Sequence, residues 1–155
     1  MRAVATRLAA LLAAALLGAP LIAAEGEEKT LAIVSAADVT LEQYAWVARP
    51  LVVLADNPRD PRFVKQMEYI AADPGPLAER DVVVIVDTDP AGASAVRQAL
   101  RPRGFDLVLI GKDGQKYLRK PFPWDVREIS RSIDKMPLRQ QEMREKSLRP
   151  ADRPQ

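Results

Sequence analysis

The chain has 155 residues, with 23 Lys and Arg against 21 Asp and Glu, and it contains neither cysteine nor histidine. That length supports one domain with a modest core. The missing residue types exclude disulfides, thiol redox chemistry, thiolate and imidazole metal sites, and histidine-based triads.

The first stretch has the build of a targeting segment. Arg2 and Arg7 form a positive n-region, and Leu8 to Ala24 is almost all Ala and Leu, broken at Gly18-Ala19-Pro20. Ala23-Ala24 then precede the charged Glu25-Gly26-Glu27-Glu28. We read residues 1–24 as a secretory signal peptide cleaved near Ala24, which makes the product periplasmic or secreted. The apolar run is shorter than the roughly 20 residues that span a bilayer, so no membrane attachment is expected after cleavage. Without cysteine there is no site for a lipid anchor. Cleavage removes Arg2 and Arg7 and leaves 21 basic against 21 acidic residues. A neutral chain without a basic stripe does not point to nucleic acid.

Residues 25–37 read as a leader, within which Thr30 to Val34 has the pattern of a short edge strand. Thr40 and Gln43 have capping-box spacing, and Val39 and Tyr44 have the spacing of a hydrophobic staple. A small helix is expected there, with Leu41, Tyr44 and Val47 on one face. Leu51 to Ala55 is a short uncharged apolar run, as in a strand covered on both faces. Asp60-Pro61 then reads as N-cap and first helical position. Phe63, Val64, Met67, Ile70 and Ala71 recur at helical spacing, with Arg62, Lys65, Gln66 and Glu68 on the other face. Asp73-Pro74-Gly75-Pro76 stops that helix.

Val82 to Val86 is the strongest strand signal, β-branched throughout. Asp89-Pro90 repeats the cap pattern ahead of a helix carrying Ala93, Val96 and Leu100 and ending near Arg101. Phe105 to Ile110 and Gln115 to Arg119 are strands joined through the tight hairpin signal Asp113-Gly114, the second more polar and hence an edge. Val126, Ile129, Ile133 and Met136 make a third core-facing helix, ended or kinked at Pro137. Leu138 to Lys146 continues as a helical piece, and the Arg- and Pro-rich residues 147–155 read as a disordered tail. The domain proper is expected over 38–146.

Strand, helix, strand, helix, hairpin and final helix resemble a thioredoxin fold. The expected class is α/β: a three-layer sandwich whose central mixed sheet of about four strands is flanked by helices. More closely, the chain resembles the bacterial domain-of-unknown-function family 4174, an exported thioredoxin-like domain that is also similar to the C-terminal domain of sushi-repeat-containing proteins. The residues that carry the resemblance are Trp46 with Arg49-Pro50-Leu51-Val52-Val53, Asp60-Pro61-Arg62, Leu77-Ala78-Glu79-Arg80-Asp81, Gly104-Phe105 with Leu109-Ile110-Gly111-Lys112-Asp113-Gly114, and Ile133-Asp134 with Met136 to Met143. Membership implies a fold and an exported location, and no activity. Against thioredoxins proper, Arg59-Asp60-Pro61-Arg62 falls about where the redox Cys-x-x-Cys stands, and Asp106 falls where the fold's cis-proline stands. With the thiols gone, disulfide exchange and thiol peroxidase chemistry are excluded.

Two sets of residues are candidates for function. Asp56, Arg59, Asp60 and Arg62 lie at the carboxyl end of a strand and a helix N-terminus, where open α/β sheets take ligands and a helix dipole favours an anion. With Asp106 they form either a binding edge or a capped turn whose arginines pair with neighbouring acids. Arg139, Gln140, Gln141, Glu142 and Met143 form either a partner-binding helix or one lying on the domain through Leu138 and Met143. Asp87-Thr88-Asp89-Pro90-Ala91-Gly92 begins like a calcium loop, but Ala91 and Gln98 occupy ligand positions, so no metal is expected. No cofactor is implied.

The reading is therefore a cysteine-free exported module that binds another periplasmic or envelope protein, with Trp46, Trp124 and Tyr117 as candidate contact residues. The alternative is a hydrolase built on Asp56, Asp60 and Asp106.

Overall fold

The computed structural model describes residues 29–148. Residues 1–24, read above as a signal peptide, the first residues of the segment read as a leader, and residues 149–155 lie outside that range. Five strands form one sheet: β1 (Ala32–Ser35), β2 (Arg49–Leu54), β3 (Val82–Asp87), β4 (Asp106–Ile110) and β5 (Lys116–Lys120), in the order β1-β3-β2-β4-β5. The first three are parallel, and β4 and β5 are antiparallel to their neighbours. The helices are α1 (Pro61–Ala72), α2 (Gly75–Ala78), α3 (Ala95–Leu100), α4 (Val126–Asp134) and α5 (Pro137–Leu148).

The fold is the expected α/β sandwich, with one strand more than anticipated. The fifth is the short edge strand read within the leader at Thr30 to Val34, which runs over Ala32–Ser35. Ala32 to Ser35 pairs in register with Val83 to Val86 and closes the sheet on that side. The helical end also differs, because α5 runs to Leu148 and takes in the first two residues assigned to the tail.

Sheet pleating divides the core into two. Successive residues of a strand point to opposite faces. Leu51, Val53, Val84, Leu107 and Leu109 therefore meet Ile70, Ile129 and Ile133 beneath one face. Val52, Leu54, Ile85, Val108 and Ile110 meet Val96, Leu100 and Ala36 beneath the other. Each of the largest buried side chains contributes about 1.5–3 kcal/mol by leaving water.

Three local expectations change. Asp89 caps only a 3₁₀ turn (Pro90–Gly92), and Ser94 caps α3 instead, its hydroxyl accepting from the Arg97 amide at 3.0 Å. Ala93 consequently sits at φ 45° and is exposed, off the apolar face where spacing put it. Gln66, assigned to the polar face of α1, is fully buried. Its amide donates to the Trp124 carbonyl at 3.0 Å and accepts from the Trp124 amide at 2.7 Å, pinning the α4 approach to α1. The small helix after Thr40 is a single 3₁₀ turn (Glu42–Tyr44), with half of the capping box present as Thr40 N–H to Gln43 Oε1 at 3.3 Å.

Candidate functional site

At the carboxyl end of β2 the chain turns through Asp56 to Asp60 into α1. Asp60 caps that helix, accepting from the Arg62 amide at 2.9 Å, and its carboxylate also takes the Arg62 guanidinium at 3.1 and 2.8 Å. Those hydrogen bonds from Arg62 hold the Asp60 carboxyl below its ordinary value. The helix N-terminus is thus already filled by a carboxylate from its own chain. Arg62 in turn lies over the Phe105 ring at 5.7 Å. Asp56 stands 3.7 Å from Arg97, and buried Asp106 is paired with Arg119. Arg59 is exposed, and among the described residues its guanidinium has no ion-pair partner.

The five residues lie at one pole, where the end of β2 meets the start of β4. Asp60 pairs with Arg62 and Asp106 with Arg119, whereas exposed Asp56 stands at 3.7 Å from an arginine, Arg97, whose close partner is Asp87. Asp87, whose surroundings began like a calcium loop, is buried and closed by Arg97 at 2.9 Å and by the Ser94 hydroxyl at 2.6 Å. Burial alone raises the Asp87 carboxyl, but the hydrogen bonds from Arg97 and Ser94 outweigh it and hold it low.

The opposite pole carries a denser arrangement. Strand register sets Arg49 beside Val82, so the start of β2, the turn before β3 and the exit of β4 share this end of the sheet. Arg49 is 1% exposed. One of its terminal nitrogens donates to the Arg80 carbonyl at 2.8 Å, and the other donates to Glu142 Oε1 at 2.9 Å. The same carboxylate oxygen is 2.9 Å from Lys112 Nζ, which also donates to Asp81 at 2.8 Å. Lys29 reaches Asp81 at 2.5 Å. Arg80 makes a two-pronged pair with Asp134 at 2.9 and 2.8 Å, and Arg139 joins Glu142 at 3.3 Å.

Burial by itself pushes the Glu142 carboxyl up; hydrogen bonds from Lys112 and Arg49 overcome this and keep it below its ordinary value. A buried arginine is tolerated only when such a partner neutralises it. Of the α5 residues singled out from sequence, Glu142 therefore faces the domain, with Arg139 and Met143 half-buried beside it and Gln140 and Gln141 exposed.

Next to this network the backbone is strained. Trp46 adopts φ 64°, a left-handed conformation that is rare for a bulky residue. Its amide donates to the Lys112 carbonyl at 2.7 Å. The indole is nonetheless 72% exposed, and Val47 beside it is exposed as well. A mainly apolar hollow lined by Leu41, Tyr44, Ala45, Pro50 and Ile110 opens next to this turn. Of the other two aromatic candidates, Tyr117 is exposed but tied to Asp113 through its hydroxyl at 2.6 Å, and Trp124 is packed against the core.

The Arg49–Glu142 cluster was not anticipated as a site. Its traces in the sequence are the α5 candidates Arg139 and Glu142 and the placing of Arg49, Arg80-Asp81, Lys112 and Asp134 in the motifs that carry the family resemblance. No curated protein matches the chain. A family model described as a domain of unknown function, DUF4174, matches residues 40–142, more than half of the chain.

Proposed function

The chain belongs to the DUF4174 family, and from that footing we propose that it is an exported, non-catalytic module that binds another protein through the surface around Trp46. The observation that carries this reading is the exposed indole on a left-handed backbone. Conformations of this kind cost about 1–3 kcal/mol and persist where surrounding structure enforces them, often at ligand clamps. Here the enforcing bond comes from Lys112, whose side chain is itself fixed by Asp81 and Glu142. An aromatic held rigidly in water loses little conformational freedom on docking, which favours its use as an anchor. The neighbouring hollow offers a seat for an apolar side chain of the partner.

The charge distribution supports binding over catalysis. A carboxylate-based hydrolase requires one acid with a raised pKa near a second acid. Asp60 and Asp106 are instead paired with Arg62 and Arg119, the Asp60 carboxyl is held below its ordinary value, and Asp56 is exposed.

The test is site-specific photo-crosslinking in the native host. A photoreactive phenylalanine analogue at position 46 should give a discrete adduct with one protein, and the same analogue at exposed Glu68 should give none. Equal labelling at both positions, or none at position 46, overturns the reading. Detection of the mature chain outside the cytoplasm, beginning after Ala24, tests export separately.

A further inference from the structure

We infer that Arg49 and Lys112 form a carboxylate receptor that Glu142 fills from within the chain, and that an acidic segment of another protein binds there by displacing α5. This site is distinct from the Trp46 surface. Three features of the structure support it.

The receptor is built into the sheet, whereas its occupant is not. Arg49 opens β2 and is fixed by its bond to the Arg80 carbonyl, while Lys112 follows β4 and is held by Asp81. Neither of these anchors involves Glu142. Helix α5, by contrast, has no fully buried side chain among its twelve residues. It rests on half-buried Leu138 and Met143 and on ion pairs. A buried guanidinium demands a carboxylate, but nothing requires that carboxylate to come from the same chain.

The site also has an approach. A charged hollow of about 460 Å³ opens over Glu142, lined by Lys29, Asp81, Lys112 and Arg139 among others. With α5 displaced, the cations Lys29 and Lys112, and Arg49 beneath them, outnumber the remaining acids Glu79 and Asp81. The vacated site is therefore electropositive and suited to an acidic peptide.

Finally, Arg49 Nε is buried and has no hydrogen-bond partner. Glu142 bonds Arg49 through a single oxygen, Oε1, and that oxygen is shared with Lys112. The internal carboxylate leaves donor capacity unused, and a ligand that engages Nε as well gains a bond that Glu142 does not make.

The experiment is chemical rescue followed by competition. Glu142→Ala in the full chain should lose thermal stability, and sodium acetate should restore it saturably, raising Tm by roughly 4 °C or more over sodium chloride at equal ionic strength. Amide resonances of Arg49, Asp81 and Lys112 should shift with the same saturation curve. In the unaltered protein, a hexaglutamate peptide should shift those amides together with residues 138–146 of α5, and Lys112→Met should weaken this response at least tenfold. Acetate acting no better than chloride overturns the receptor. Should the Ala variant not fold, Glu142→Ser, which also leaves the carboxylate position empty, takes its place. Should neither fold, the hexaglutamate titration decides, and unshifted Arg49, Lys112 and α5 amides at millimolar peptide overturn the proposal.

Discussion

Arg49, the first residue of β2, holds Glu142, in the middle of α5, at 2.9 Å across 93 positions of sequence. The arginine is fully buried and the glutamate half-buried. Glu142→Gln leaves the guanidinium without its counter-charge and should destabilise the domain by roughly 3 kcal/mol. Arg49→Met with Glu142→Gln removes both charges and should cost less than the two changes summed, by about 1–3 kcal/mol. Urea unfolding of the four proteins measures this coupling, and strict additivity would show the pair to be incidental.

Acid should unfold the protein through its paired carboxylates. Arg80 lowers Asp134, hydrogen bonds from Lys112 and Lys29 overcome burial at Asp81, and Asp87 and Glu142 are likewise held low. Each folded pKa lies below its unfolded value, so the unfolded chain binds more protons as pH falls. Their contribution is fully present above the ordinary values of 3.8 for Asp and 4.5 for Glu, and it is lost as pH drops through the folded ones. Urea midpoints should stay level from neutral pH to about pH 5 and then decline with acid. Asp87→Asn should flatten that decline; an unchanged slope would mean that Asp87 does not carry it.

Gln66 is satisfied by both backbone groups of Trp124. Gln66→Leu preserves apolar bulk but strands a buried N–H and a buried carbonyl. The expected loss is about 2 kcal/mol, read from urea unfolding. A loss below about 0.5 kcal/mol would mean that water or a local shift satisfies Trp124 instead.

Trp46 should trade stability for binding. Asn tolerates φ 64° better than Trp, and an indole this exposed contributes little burial. Trp46→Asn should therefore raise stability by about 0.5–1 kcal/mol while abolishing the crosslinked adduct expected at this surface. A fall in stability would show instead that the indole packs against the domain.

The amino-acid sequence by itself determined the layers of this protein. The runs Leu51 to Ala55 and Val82 to Val86 became strands buried along nearly their whole length, and Val126, Ile129 and Ile133 became one buried helix face with buried Met136 just beyond it. Periodicity reads such elements because burial repeats with the geometry of strand and helix, a property of neighbours in the chain. The absence of sulfur and imidazole likewise needs no coordinates. Only the tertiary structure decided that the edge strand read in the leader pairs with β3, that Gln66 turns inward, and that Arg49, Lys112 and Glu142 meet. Polar side chains carry no period that announces their partners. Whether a charge is solvated or locked in a buried pair depends on what the fold brings within about 4 Å of it, and for Arg49 and Glu142 that contact spans most of the domain.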